Sequence, residues 1–98
     1  MSERIRVVAR VAARAGKADE MRTILRALVS ATRLEAGCIR YELWEEHDRE
    51  GAFVFVEEWA SAAHLDAHLS GANLSEASAG IAGLTESPPD IRRFRVVA

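Results

Sequence analysis

The amino-acid sequence predicts an α+β fold of the ferredoxin-like kind, a four-stranded antiparallel sheet with its helices packed on one face. Three observations carry the prediction. Four short segments alternate apolar and polar residues with the period of two of a half-buried strand; a longer segment after the first repeats its apolar residues at helical spacing; and only a short polar loop separates the second strand from the third. The resulting order, β-α-β-β-α(α)-β, is the split βαβ arrangement.

The first strand is read over residues 5–11, with Ile5, Val7, Ala9 and Val11 on one side and Arg4, Arg6, Val8 and Arg10 on the other. Gly16 and Lys17 mark a turn into a helix over 18–35, where Met21, Ile24, Leu25, Leu28 and Thr32 share a face. Asp19 and Glu20 suit the positive end of that helix, and Gly37 suits its C-terminal cap. Residues 38–45 alternate again, Ile39, Tyr41 and Leu43 against Cys38, Arg40, Glu42 and Trp44, and residues 47–51 form a hairpin loop. The third strand, 52–59, sets Phe53, Phe55, Glu57 and Trp59 against Val54, Val56 and Glu58, so both of its sides carry apolar residues and call for cover. Ser61 is the N-cap of a short helix reaching about residue 70, and 73–84 makes a glycine-weakened helix with Leu74, Ala77, Ile81 and Leu84 on one side. The Pro88-Pro89 pair makes 85–90 a loop, and 91–97 is the last strand.

With 98 residues, 49% of them hydrophobic and 29% charged, residues 1–98 are expected to form one domain. Helices on one side of such a sheet leave the other side bare. A second copy that covers it would make a shared, barrel-like interior with an isologous contact, so a homodimer is expected. The net charge of −2 comes from interspersed residues without a basic stripe, which argues against nucleic acid as a partner. Cys38 is the only cysteine, which excludes an internal disulfide, and neither a signal-peptide pattern nor an 18-residue apolar run is present. A cytoplasmic protein with a reduced thiol and no membrane contact is the expectation.

No phosphate-binding glycine loop, GxSxG, CxxC or HExxH occurs. The polar and aromatic candidates gather instead around Glu57-Glu58-Trp59-Ala60-Ser61 and the helix after them. With Leu65 at the centre of that helix's inward face, His68 lies about 60° away and His64 about 100° away, so His68 belongs at the rim and His64 nearer water. Trp59 and Tyr41 are placed to converge with His68 on a cavity between sheet and helices. The plainer reading of all three is core packing with polar tips satisfied. His64 and His68 stand at i, i+4, but no third ligand accompanies them and no metal site is expected. Glu57 shares the parity of Phe53, Phe55 and Trp59, so it faces what those aromatics face unless the strand end simply reaches solvent.

The run Phe53-Val54-Phe55-Val56-Glu57-Glu58-Trp59-Ala60-Ser61, followed by Leu65, His68 and Ala72-Asn73-Leu74, resembles the antibiotic biosynthesis monooxygenase family. So do Ala15-Gly16-Lys17, Thr32-Arg33-Leu34-Glu35-Ala36-Gly37-Cys38 and Tyr41-Glu42-Leu43, and together these stretches span nearly the whole chain. The resemblance implies a dimeric α+β barrel whose characterised members include cofactor-independent quinol and anthrone monooxygenases, with haem-degrading and sugar-phosphate-processing relatives on the same fold. Many members carry a second His where this chain has Asn73, which weakens a two-histidine mechanism. Haem-degrading relatives use an Asn near the end of the first strand, and 8–11 has none.

The expected activity is oxidation of a quinol- or anthrone-like aromatic molecule by O2 without a cofactor. An electron-rich anion can pass an electron to dioxygen, so the protein needs only a dry pocket, a base and a means of stabilising the anion. His68 is the expected base, being nearest neutral pH in its ordinary titration. Trp59, Tyr41 and Phe55 would wall and orient the ring, Asn73 would bond a developing oxyanion, and Glu57 would orient His68 or share proton transfer. Two rivals remain open: an isomerase or other enzyme of small carbonyl compounds, favoured if Arg40 or Arg93 lines the pocket, and a non-catalytic dimer that binds a small molecule.

Overall fold

A computed structural model describes residues 3–98. Strand β1 (Ile5–Ala12) leads to helix α1 (Ala18–Thr32), the hairpin β2 (Cys38–Glu45) and β3 (Ala52–Trp59), helices α2 (Ala62–Leu69) and α3 (Ala72–Ile81), and strand β4 (Asp90–Phe94). All pairings are antiparallel and the order across the sheet is β2-β3-β1-β4, so the chain has the α+β ferredoxin-like fold that its patterning predicts.

The register explains the core. Val7, Ala9 and Val11 stand opposite Glu57, Phe55 and Phe53, while Tyr41 and Leu43 stand opposite Glu57 and Phe55. That face takes the helices, with Met21, Leu25 and Leu65 fully buried against it. On the other face three rows cross the sheet: Trp44-Val54-Arg10-Asp90, Glu42-Val56-Val8-Arg92 and Arg40-Glu58-Arg6-Phe94. Among the described residues no element covers them, and Trp44 and Phe94 are half exposed.

Three boundaries differ by three residues from those the sequence predicts, and others by one. α1 ends at Thr32 because Leu34 N–H bonds Ala31 O and Glu35 N–H bonds Thr32 O, i to i−3 bonds that tighten the chain and turn it toward β2. Gly37, at φ +79°, therefore serves this turn and does not cap the helix. α3 stops at Ile81, where Leu84 N–H bonds Ile81 O in a closing turn, and β4 ends at Phe94. Ser61 does cap α2: its Oγ accepts from His64 N–H at 3.2 Å.

Candidate functional site

The site grows from the end of β3, a central strand whose helix-side residues are buried. Two of them, Glu57 and Trp59, are neighbours on that face, and the indole N–H of Trp59 donates to Glu57 Oε1 at 2.9 Å. Among the described residues no Lys or Arg pairs with Glu57, which is 5% exposed, and burial pushes its carboxyl above the usual carboxylate range against the pull of the indole bond and of nearby His68. Tyr41 stands beside it in register, with ring centroids 5.3 Å from Phe55 and 6.3 Å from Trp59. Burial, reinforced by the nearby Glu57 charge, pushes the Tyr41 phenol well up, so it acts as a hydrogen-bonding group and not as a base.

His68 comes from α2. The helical wheel assigns it to a rim, but it is buried at 2% exposure, because Trp59 reaches under α2 and the two rings stack at 4.7 Å and 28°. Tyr41 meets the imidazole edge-on at 5.5 Å. His68 Nδ1 lies 2.9 Å from Glu35 Oε1, and Asn73 Nδ2 donates to Glu35 Oε2 at 2.9 Å. His64 is not the free surface residue its wheel angle implies. Its Nδ1 lies 2.8 Å from Ser61 Oγ, and its ring covers Gly37 so closely that a Cβ there would overlap it.

His68, Glu57, Tyr41 and Phe55 line one cavity between the sheet and the helices, walled further by Leu25, Leu28, Leu69, Leu74 and Ile81, with Pro89 and Ile91 on the β4 side. Its volume is about 80 Å³. Among the described residues His68 Nε2 has no protein partner, and it is not sealed from solvent. Two residues expected at the ligand stand one layer back. Trp59, fully buried, braces His68 and Glu57 from behind, and Asn73 is taken up by Glu35 outside the cavity lining. Arg40 pairs with Glu42 on the bare face and Arg93 with Asp66, so neither lines the cavity. Among the described residues no group of three or more His, Cys, Asp or Glu is arranged to hold a metal.

Sequence reasoning passed over Glu35. One signal was available: a carboxylate just past the C-terminal end of a helix meets an unfavourable dipole, so its presence there calls for a compensating partner.

Comparison with known proteins agrees with the fold along the whole chain. The family model described as antibiotic biosynthesis monooxygenase matches residues 4–80. Rv0793 of Mycobacterium tuberculosis is 35% identical over 68 residues, covering 69% of this chain and 66% of that protein, and its solved structure superposes with a TM-score of 0.90. The crystal structure of PA3566 from Pseudomonas aeruginosa has 30% identity and a TM-score of 0.91, covering 100% of this chain and 98% of the other. A crystal structure described as an antibiotic biosynthesis monooxygenase has 26% identity and a TM-score of 0.90, covering 96% and 99% of the two chains. The chain spans between about half and two thirds of the length of the curated relatives it matches.

Proposed function

Because the chain belongs to the antibiotic biosynthesis monooxygenase family, we propose that it oxidises a quinol- or anthrone-like aromatic small molecule with O2, unaided by a cofactor, in the cavity under α2. The observation that carries this reading is one buried imidazole and one buried carboxyl on the same apolar cavity. In the reaction His68 Nε2 takes the proton from the substrate's hydroxyl or activated C–H. Glu57, on the same cavity with its carboxyl raised by burial, shares the proton transfer. The anion passes one electron to O2, the radical pair closes a C–O bond, and the carbon-bound hydroperoxide loses water as His68 returns its proton. For a ring methylene the sum is CH2 + O2 → C=O + H2O, with one oxygen atom in each product and no external reductant.

The cavity as it stands is smaller than the ~150 Å³ apolar cavity that admits benzene in an engineered protein, so a ring must also occupy the mouth beside Pro89 and Ile91. Oxygen uptake with hydroquinones and anthrones, without added cofactor, tests the proposal. One atom of 18O2 is expected in the organic product. No uptake, with the same compounds bound, would leave a binding protein. The carbonyl-isomerase reading loses the two cations expected for it, since neither Arg40 nor Arg93 lines the cavity; the one arginine among the lining residues is Arg10 of β1.

A homodimer through the bare sheet face is part of the same proposal. Its support is an apolar centre of Val8, Val54 and Val56 flanked by the exposed rings of Trp44 and Phe94. Most charges around that centre are already matched within the chain. Glu58 takes Arg4 at 3.1 Å and Arg6 at 2.7 Å, Arg40 pairs with Glu42, and Arg92 pairs with Asp90 at 3.2 Å. Such a face can be covered by its own copy without stranding those ions.

A further inference from the structure

We infer that Glu35 is a positioning residue, which holds the imidazole of His68 in the Nδ1–H form so that Nε2 is the bare nitrogen presented to the cavity. The chain of contacts joins the turn after α1 to two helices. Glu35 lies in the turn after α1, its Oε1 is 2.9 Å from His68 Nδ1 on α2, and its Oε2 accepts from Asn73 Nδ2 in the first turn of α3 at 2.9 Å. Each carboxylate oxygen is thus engaged by a different helix, and rotation about the end of the side chain would break both bonds.

An ionised carboxylate only accepts, so the nitrogen facing it must carry hydrogen. In a neutral imidazole the other nitrogen then holds the lone pair. The same rule orients Asn73, whose amide must turn its NH2 toward Oε2. Glu35 has no Lys or Arg within salt-bridge distance among the described residues, and its side chain keeps 22% exposure, so water reaches the carboxylate. The first turn of α3 also favours a negative charge beside it. When Nε2 accepts a proton, the imidazolium therefore forms against a fixed negative neighbour. That arrangement suits proton abstraction, and this last step rests on the oxygenase reading; the tautomer does not.

The test reads the tautomer directly. Two-dimensional 15N–1H spectra of the histidine side chains, taken on the full chain where His68 is neutral, are expected to show a pyrrole-type Nδ1 and a pyridine-type Nε2. In Glu35→Gln the amide NH2 can donate to Nδ1, and a mixture or the Nε2–H form is expected. In Asn73→Ala the Oε1–Nδ1 bond survives and the wild-type pattern should persist. An Nε2–H ring in the wild type, or unchanged 15N shifts in a folded Glu35→Gln protein, would overturn the inference, and the wild-type arm decides even if that variant does not fold. In quinol turnover, Glu35→Gln is expected to lower kcat by on the order of 10²–10⁴-fold with KM within about threefold, the range that loss of a base or of its right tautomer spans. If no quinol is turned over while the spectra hold, the oxygenase reading fails and the positioning role stands.

Discussion

At the scale of single residues, the site combines two polar groups that folding buries, Glu57 and His68. Glu57 is buried without a cation, and its folded carboxyl lies above the usual value of 4.5. The native state therefore binds its proton more tightly than the unfolded state does. Its contribution is most favourable at or below pH 4.5 and is lost as pH rises through the folded value. Glu57→Gln keeps an acceptor for the Trp59 indole and removes that loss, so the variant should be more stable than the parent at neutral pH, and the gap should close below pH 4.5. Taking the difference between the two proteins cancels the opposite, acid-side trend from Glu42 and Glu45, which Arg40 and Arg22 hold low. Denaturation curves from pH 4 to 8 check this, and a variant less stable at every pH would refute it. For His68, burial against Trp59 means that truncation to Ala removes packing as well as a base. His68→Gln preserves more of the volume and is expected to lower kcat by on the order of 10²–10⁴-fold with the fold retained. His47, 99% exposed in its side chain, is the matching control, because His64 is bound to Ser61 and packed on Gly37.

At the scale of elements, the turn from α1 into β2 does more than connect. Gly37 O accepts from Ala60 N–H at 2.8 Å, tying the start of β2 to the strand end that feeds α2, while the His64 ring of α2 rests on the Gly37 Cα. Gly37→Ala adds a Cβ at a positive φ and drives it into that ring. A loss of about 2–4 kcal/mol is expected, combining left-handed strain with a displaced α2, and turnover should fall although the residue does not line the cavity. A denaturation midpoint equal to the parent's would contradict this. The same turn shows what sequence patterning can deliver. Period-two alternation identified the helix side of β3, and with it Glu57, Phe55 and their partner Tyr41, because parity is a local property. It could not tell that Trp59 stands a layer behind His68, since a face does not specify depth. Glu35 escaped altogether: its bonds to His68 and Asn73 span 33 and 38 residues, and the i to i−3 turn that aims it inward reads in sequence as more helix.

At the scale of the whole molecule, the helices account for one face of the sheet and leave the other uncovered among the described residues. Trp44 stands on β2 in the first of the three rows on that face and Phe94 on β4 in the third, so the two exposed rings mark diagonal corners of an apolar strip whose centre is Val54, Val56 and Val8. A two-fold contact uses the same strip twice, and each ring on one copy finds an equivalent on the other. A stable interface of this type buries on the order of 1,200–2,000 Å² or more, an area in which two indoles and two phenyl rings weigh heavily. Sedimentation of the parent at micromolar concentration is therefore expected to give a dimer. Trp44→Glu combined with Phe94→Glu introduces four carboxylates into the assembled face and should shift the chain to monomer. In the single chain both positions are half exposed and touch neither the cavity nor His68, so any monomer that remains folded should keep the Trp59–His68 stack. A parent that sediments as a folded monomer, or a double variant that stays dimeric, would place the contact elsewhere and leave the apolar strip for some other partner.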